Sequence, residues 1–194
     1  MVQAFSLIYD HAVNHLLLGL PKELSYHNIY HILDVLEQAQ RIAKDENINN
    51  EEELLLLKTA ALYHDAGFLY KYIGHEEVGC QLARKNLPDF GLNEQQTESI
   101  CGMIMATKIP QLPKNKLEEI VCDADLDYLG RADFFTIGNT LFSEMREKGM
   151  VTSEKEWNLI QVKFIKEHHY FTLTNIRIRE QQKLKHLEML EAMI

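Results

Sequence analysis

The chain is poor in residues that interrupt regular structure, with nine glycines and four prolines among 194 residues. That scarcity excludes collagen-like and low-complexity readings. With 46 % hydrophobic residues it also excludes a largely disordered chain. Cysteine is scarce too. Cys80, Cys101 and Cys122 form no short-spaced pair and cannot all pair with one another, so free thiols in a reducing cytoplasm are expected. Positive charge is in deficit. The 20 Lys and Arg against 29 Asp and Glu leave a net charge of −9, the wrong sign for a protein that reads duplex nucleic acid. No apolar run approaches the roughly 18–20 residues that span a bilayer, so no membrane segment is expected. The start, MVQAFSLIYDH, lacks a basic stretch and meets Asp10 and His11 early, unlike a secretory signal.

What is present is helical periodicity and histidine. Apolar residues recur at helical spacing nearly throughout, with no linker and no internal repeat. Ile32, Val35, Leu36, Ala39 and Ala43 form one stripe, with Ser25 as the expected N-cap. A second helix is predicted from residue 50 or 51 to a stop near Gly67. Others are predicted around 75–87, 93–107, 114–129, 131–148, 153–168 and 172–192. The only strand-like stretch, FTLTNIRIR, reads equally well as the start of the last helix. That helix sets Arg177, Arg179, Lys183 and Lys185 opposite Ile178, Leu184, Leu187 and Leu190 and reads as a packing or homodimer helix. The expectation is an all-α, single-domain helical bundle over residues 1–194.

The nine histidines are the compositional feature to pursue, since imidazole is the commonest transition-metal ligand. His27 and His31 in YHNIYH are spaced i,i+4, on one side of a helix. His64 and Asp65 are adjacent at the end of a strongly apolar helix. His75 opens the next helix in GHEEVG. The run CDADLDYLGR places Asp123, Asp125 and Asp127 in alternation. Each has a plainer alternative. His11 and His15 form a second i,i+4 pair beside Asp10, and DADLD reads equally as a solvated helix face. It also imitates a calcium loop, but Tyr128 replaces the sixth-position glycine and Phe134 the twelfth-position glutamate.

In order, His31, His64-Asp65 and Asp125 resemble the H…HD…D signature of the HD-domain superfamily of metal-dependent phosphohydrolases. YHNIYHILDV is similar to the Y-H-N-x-x-H-x-x-D-V segment of cyclic-nucleotide phosphodiesterases. LLLLKTAALYHDAG resembles the superfamily's L-x-x-A-A-L-x-H-D-x-G helix, and Ala124-Asp125-Leu126 its final ligand segment. The resemblance covers residues of about 24–135, leaving 136–194 as helices packed on that core. It implies that His31, His64, Asp65 and Asp125 hold a divalent metal, with His27 and Asp65 catalytic. Periodicity alone does not choose between Asp125 and Asp127; the resemblance does. Two neutral imidazoles and two carboxylates balance a divalent ion and suit Mn, Fe, Co, Ni or Zn, with Mg a poorer fit.

The same resemblance makes His27 the proton donor and His75 the ligand of a second ion. The stretch ICGMIMATKIP, which would supply further histidines, has none. Lys71, Arg131 and His168 are the expected phosphate contacts. The implied activity is hydrolysis of a phosphate ester or anhydride of a small, nucleotide-type substrate. The segment AGFLYKY departs from the phosphodiesterase continuation, which weighs against a cyclic-nucleotide substrate. The alternative is a catalytically silent metal-binding sensor or scaffold, since fold alone does not establish activity.

Overall fold

A computed structural model describes residues 2–194. Among them the regular structure is entirely helical: α1 Val2–Gly19, α2 Ile29–Asp45, α3 Glu51–Tyr63, α4 His75–Asn86, α5 Glu94–Ala106, α6 Lys116–Asp125, α7 Phe134–Glu147, α8 Glu154–Glu167 and α9 Leu173–Glu191. Tight 3₁₀ turns occupy Ala66–Leu69, Leu87–Phe90 and Asp127–Gly130. No described helix is long and apolar enough to cross a membrane.

Four helices start behind an asparagine. The Asn28, Asn50, Asn93 and Asn115 side chains accept backbone N–H groups of the first turns of α2, α3, α5 and α6, satisfying donors with no intrahelical partner. Asn28, not Ser25, therefore caps α2. The Ser25 hydroxyl instead donates to the Thr140 carbonyl on α7 at 2.8 Å. As a consequence His27 precedes the helix and does not share a helical face with His31. Helix α1 lay outside the predicted spans, although Ile8, Ala12 and Leu16 recur four apart and all three are buried. FTLTNIRIR forms the start of α9, with Thr172 as its cap.

The larger apolar cluster joins α1 to α6. At its centre Ile32 and Ala39 of α2, Leu57 and Ala60 of α3, Ile104 of α5 and Val121 of α6 are fully excluded from solvent. Alanines at 39, 43, 60 and 61 let α2 and α3 approach closely. A smaller cluster, built on Leu129, Phe134, Ile165 and Leu190, ties the turn after α6 to α7, α8 and α9.

The two clusters are stitched together by the acidic run. Asp123 and Asp127 are fully buried, so DADLD is not a solvated face. Asp123 accepts the Phe171 and Thr172 backbone N–H groups and the Thr172 hydroxyl, fixing the start of α9. Asp127 Oδ1 accepts Arg41 at 2.7 Å, Arg179 at 2.9 Å and Asn175 at 3.1 Å, linking α2 to α9. The expected helix over 114–129 breaks after Asp125, and the 3₁₀ turn that follows brings Gly130 against α9. A Cβ there would lie 2.4 Å from the Arg179 carbonyl oxygen.

Asp127→Ala should destabilise the protein by about 3 kcal/mol in chemical denaturation, because it strands two arginines and an amide. His168 supplies a pH signature. Burial first, then the Lys183 ammonium 3.3 Å from Nδ1, push its pKa down to about 3. An unfolded chain takes up this proton below about pH 6.5 and the folded chain does not, so acid favours unfolding. Stability relative to a His168→Gln variant should therefore fall between about pH 6.5 and 3, and be independent of pH above 7.

Candidate metal and active site

Three helix ends converge on one point. His31 lies in the first turn of α2, His64 and Asp65 follow the last turn of α3, and Asp125 is the last residue of α6. The His31, His64 and Asp65 donor atoms all lie within 4.8 Å of one another. His31 Nε2 is 3.3 Å from Asp65 Oδ2 and 3.2 Å from Asp125 Oδ1. His64 Nε2 is 3.2 Å and 3.6 Å from the same two oxygens, and 3.3 Å from His31 Nε2.

The donor set fits a divalent cation. Separations of 3.2–3.6 Å match the edges of a coordination shell with bonds of about 2.0–2.3 Å. His64 Nδ1 is 2.8 Å from the Ala61 carbonyl, so the N–H sits there and Nε2 presents a lone pair. Asp65 Oδ2 is buried and accepts no hydrogen bond, which is costly unless a cation receives it. Without a cation the site would recruit protons. Burial works against charging His31, yet Asp125 and Asp65 raise its pKa to about 10. The Asp65 carboxyl is disfavoured as an anion by burial, but the facing imidazoles hold it well below the usual range.

The other aspartates and histidines lie elsewhere. Asp123 and Asp127 anchor α9, while His11 and His15 stack on each other in α1, over a separate surface depression.

His75, the first residue of α4, places Nε2 3.3 Å from Asp65 Oδ1, on the side of that carboxylate away from the cluster oxygen. The neighbouring Glu76 Oε2 is buried and accepts no hydrogen bond. Gly67 permits this approach, since a Cβ there would lie 1.8 Å from the His75 carbonyl oxygen. Gly67 thus seats His75 rather than simply ending α3. The Phe68 ring stacks on the imidazoles of His27 and His75, at 4.2 and 3.9 Å between centroids.

His27 is held by a residue that the sequence did not single out. Glu144 of α7 is fully buried and accepts four hydrogen bonds: His27 Nδ1 at 2.5 Å, the Tyr72 hydroxyl at 2.9 Å, and the backbone N–H groups of Tyr26 and His27 at 2.8 and 3.0 Å. Burial opposes its charge, but these donors, His27 first, lower its pKa, so it is the acceptor and His27 Nδ1 the donor. A signal existed. Glu144 occupies the apolar stripe of α7 that Phe134, Gly138 and Leu141 begin, where a lone carboxylate needs buried partners.

The cluster opens into a cavity of about 300 Å³. His27, Asp65, Tyr72, His75 and Asp125 line one end, and α7 and α8 line the other. The three expected phosphate contacts are absent from its wall. Lys71 is exposed and its Nζ lies over Gly74. The Arg131 guanidinium is committed to Asp34 and Asp133 at 2.8 Å each. His168 faces Lys183 over a different depression and stays neutral at ordinary pH. None of the three expected phosphate contacts forms part of the cavity wall.

This all-helical bundle gathers His31, His64 and Asp65 as a cluster compatible with a divalent ion, with Asp125 beside both imidazoles. Residues 28–127, more than half the chain, match the family model for the HD domain, and the chain belongs to that family. The family lies within a superfamily of metal-dependent phosphohydrolases. No curated protein shows a significant match to the chain.

Removing Asp125 should weaken metal binding roughly 100-fold or more, since even groups that merely orient ligands are worth 10–100-fold. Metal analysis of Asp125→Ala should show this loss, with full occupancy retained by Asp127→Ala and by His11→Ala. His75→Ala should lower the count by one ion in a protein that loads two.

Proposed function

We propose that this chain is a phosphohydrolase that uses a divalent ion to cleave a phosphate ester or anhydride of a small substrate. The observation that carries the reading is the Glu144–His27 pair set beside the four convergent donors and facing the same cavity. His31, His64, Asp65 and Asp125 would hold the ion. Asp65, as in the sequence reading, would be catalytic as well as a ligand. When bound, the ion supplies an activated water and polarises a phosphoryl oxygen.

The chain's own residues supply the rest. Glu144 takes the His27 Nδ1–H and leaves Nε2 as the nitrogen available to exchange a proton. With Nδ1–H held by the buried carboxylate, Nε2 is the nitrogen placed to hand a proton to a leaving oxygen. Phe68 and Tyr72 hold the ring in place and restrict water on that side. The Tyr72 hydroxyl is spent on Glu144, and burial together with Glu144 raises its pKa, so it acts in positioning. His75, with Asp65 Oδ1, is the place for a second ion or for a phosphate oxygen.

Phosphate release from pooled phosphate esters by the metal-loaded protein is the first test, and no turnover on any of them would favour the sensor reading. His27→Ala should keep its metal and lose about 10²–10⁴-fold in kcat on alkyl phosphates, the usual worth of a positioned acid. The loss should shrink for p-nitrophenyl phosphate, whose leaving group departs unprotonated. Glu144→Gln should show the same leaving-group dependence with a smaller loss, because an amide still accepts the Nδ1–H but stabilises the cation less. Full activity in His27→Ala on alkyl esters would overturn the acid role.

A further inference from the structure

The cavity that opens from the metal cluster has two unlike ends. Its far end is apolar and aromatic, walled by Leu129, Phe134, Leu141, Trp157, Phe164 and Ile165. Five of these come from α7 and α8, beyond the residues that match the family model. No lysine or arginine among the described residues lines any part of it. Its charged side chains other than histidine are acids: Asp65, Glu76 and Asp125.

Charge counting limits the substrate. One divalent ion is balanced by Asp65 and Asp125, and a second one beside His75 would share Asp65 and face Glu76, so little positive charge is left beyond what one phosphoryl group needs. A second or third phosphate would enter beside Glu76 with no cation to receive it, and like charges in a cleft of low dielectric repel strongly. At the far end the Gln161 amide is the polar side chain that α8 offers, so several sugar hydroxyls there would lose water with too few partners, at about 1–3 kcal/mol for each one left unpaired. An aromatic or alkyl group there gains instead, and 300 Å³ holds a substituent of about one or two rings.

We propose that the substrate is a monophosphate ester, one phosphoryl group on an apolar, ring-sized leaving group, and that α7 and α8 select it. The assignment rests on the hydrolase reading for turnover, but not for binding. It departs from the expected nucleotide class, whose further phosphates and sugar hydroxyls this cavity serves poorly.

Trp157, the only tryptophan in the chain, lines the apolar end and reports its occupancy. The metal-loaded protein would be titrated, by tryptophan fluorescence and by calorimetry, with benzylphosphonate, methylphosphonate and adenosine triphosphate. The first two share a head group and differ by a ring. Benzylphosphonate should change Trp157 emission and bind tens of times more tightly than methylphosphonate, as expected for about 100 Å² of apolar surface removed from water. Adenosine triphosphate should bind at least tenfold more weakly than benzylphosphonate and leave the emission unchanged. Ile160→Lys puts a cation on the cavity wall at a residue 37 % exposed, where folding should tolerate it. It should narrow the gap between the two ligands. Equal affinity for the two phosphonates, or tighter binding of the triphosphate, would overturn the proposal. Benzylphosphonate binding without hydrolysis of benzyl phosphate would retire the hydrolase reading and keep the pocket assignment. Efficient turnover of nucleoside triphosphates would do the reverse.

Discussion

Four electron-rich donors crowd together at the floor of this bundle, with two imidazole nitrogens and two carboxylate oxygens 3.2–3.6 Å apart across the two types. Left to themselves, two carboxylates and two neutral rings with lone pairs would move apart or take up water. They stay together because each sits at the end of a helix already fixed by packing. α2 enters behind the Asn28 cap, α3 leaves through alanines packed on α2, and α6 stops at a turn that cannot shift without breaking the Asp127 network. The rest of the structure reads as support for that arrangement. A bound divalent ion removes the repulsion, and in its absence protons do so in part.

The second half of the chain does more than cover the first. Buried acids reach back from it or receive it: Asp123 and Asp127 grip α9, and Glu144 grips the segment that carries His27. Each accepts three or four hydrogen bonds, so removing any one leaves several donors unmet. These bonds cross the seam between the two apolar clusters. The cavity lies on that seam, with the metal donors on one side and the aromatic wall of α7 and α8 on the other.

This division suggests how chemistry and selectivity are parted within the fold. All four proposed ligand residues fall inside the segment that matches the HD domain, residues 28–127. His27 precedes it, and Glu144 and most of the apolar wall follow it. On the proposed reading the shared segment would carry the ion, whereas the flanking helices would shape what can approach it.

Much of this was legible in the sequence, for a physical reason. Helical periodicity and the order of His31, His64-Asp65 and Asp125 are read along the chain, so a linear reading recovers helices and, through the family resemblance, names the ligand candidates. The errors arise where distant parts of the chain compete with local preference. Ser25 was the nearest capping residue, but its hydroxyl found Thr140 and Asn28 took the cap, which moved His27 off the helix. Arg131 follows the acidic run directly, yet Asp34, brought across from α2, claims its guanidinium. Glu144 lies more than a hundred residues from His27 and shares no motif with it. A pattern along the chain can propose a ligand set. Which buried acid meets which base, and what lines the space between them, is decided by the contacts of tertiary packing.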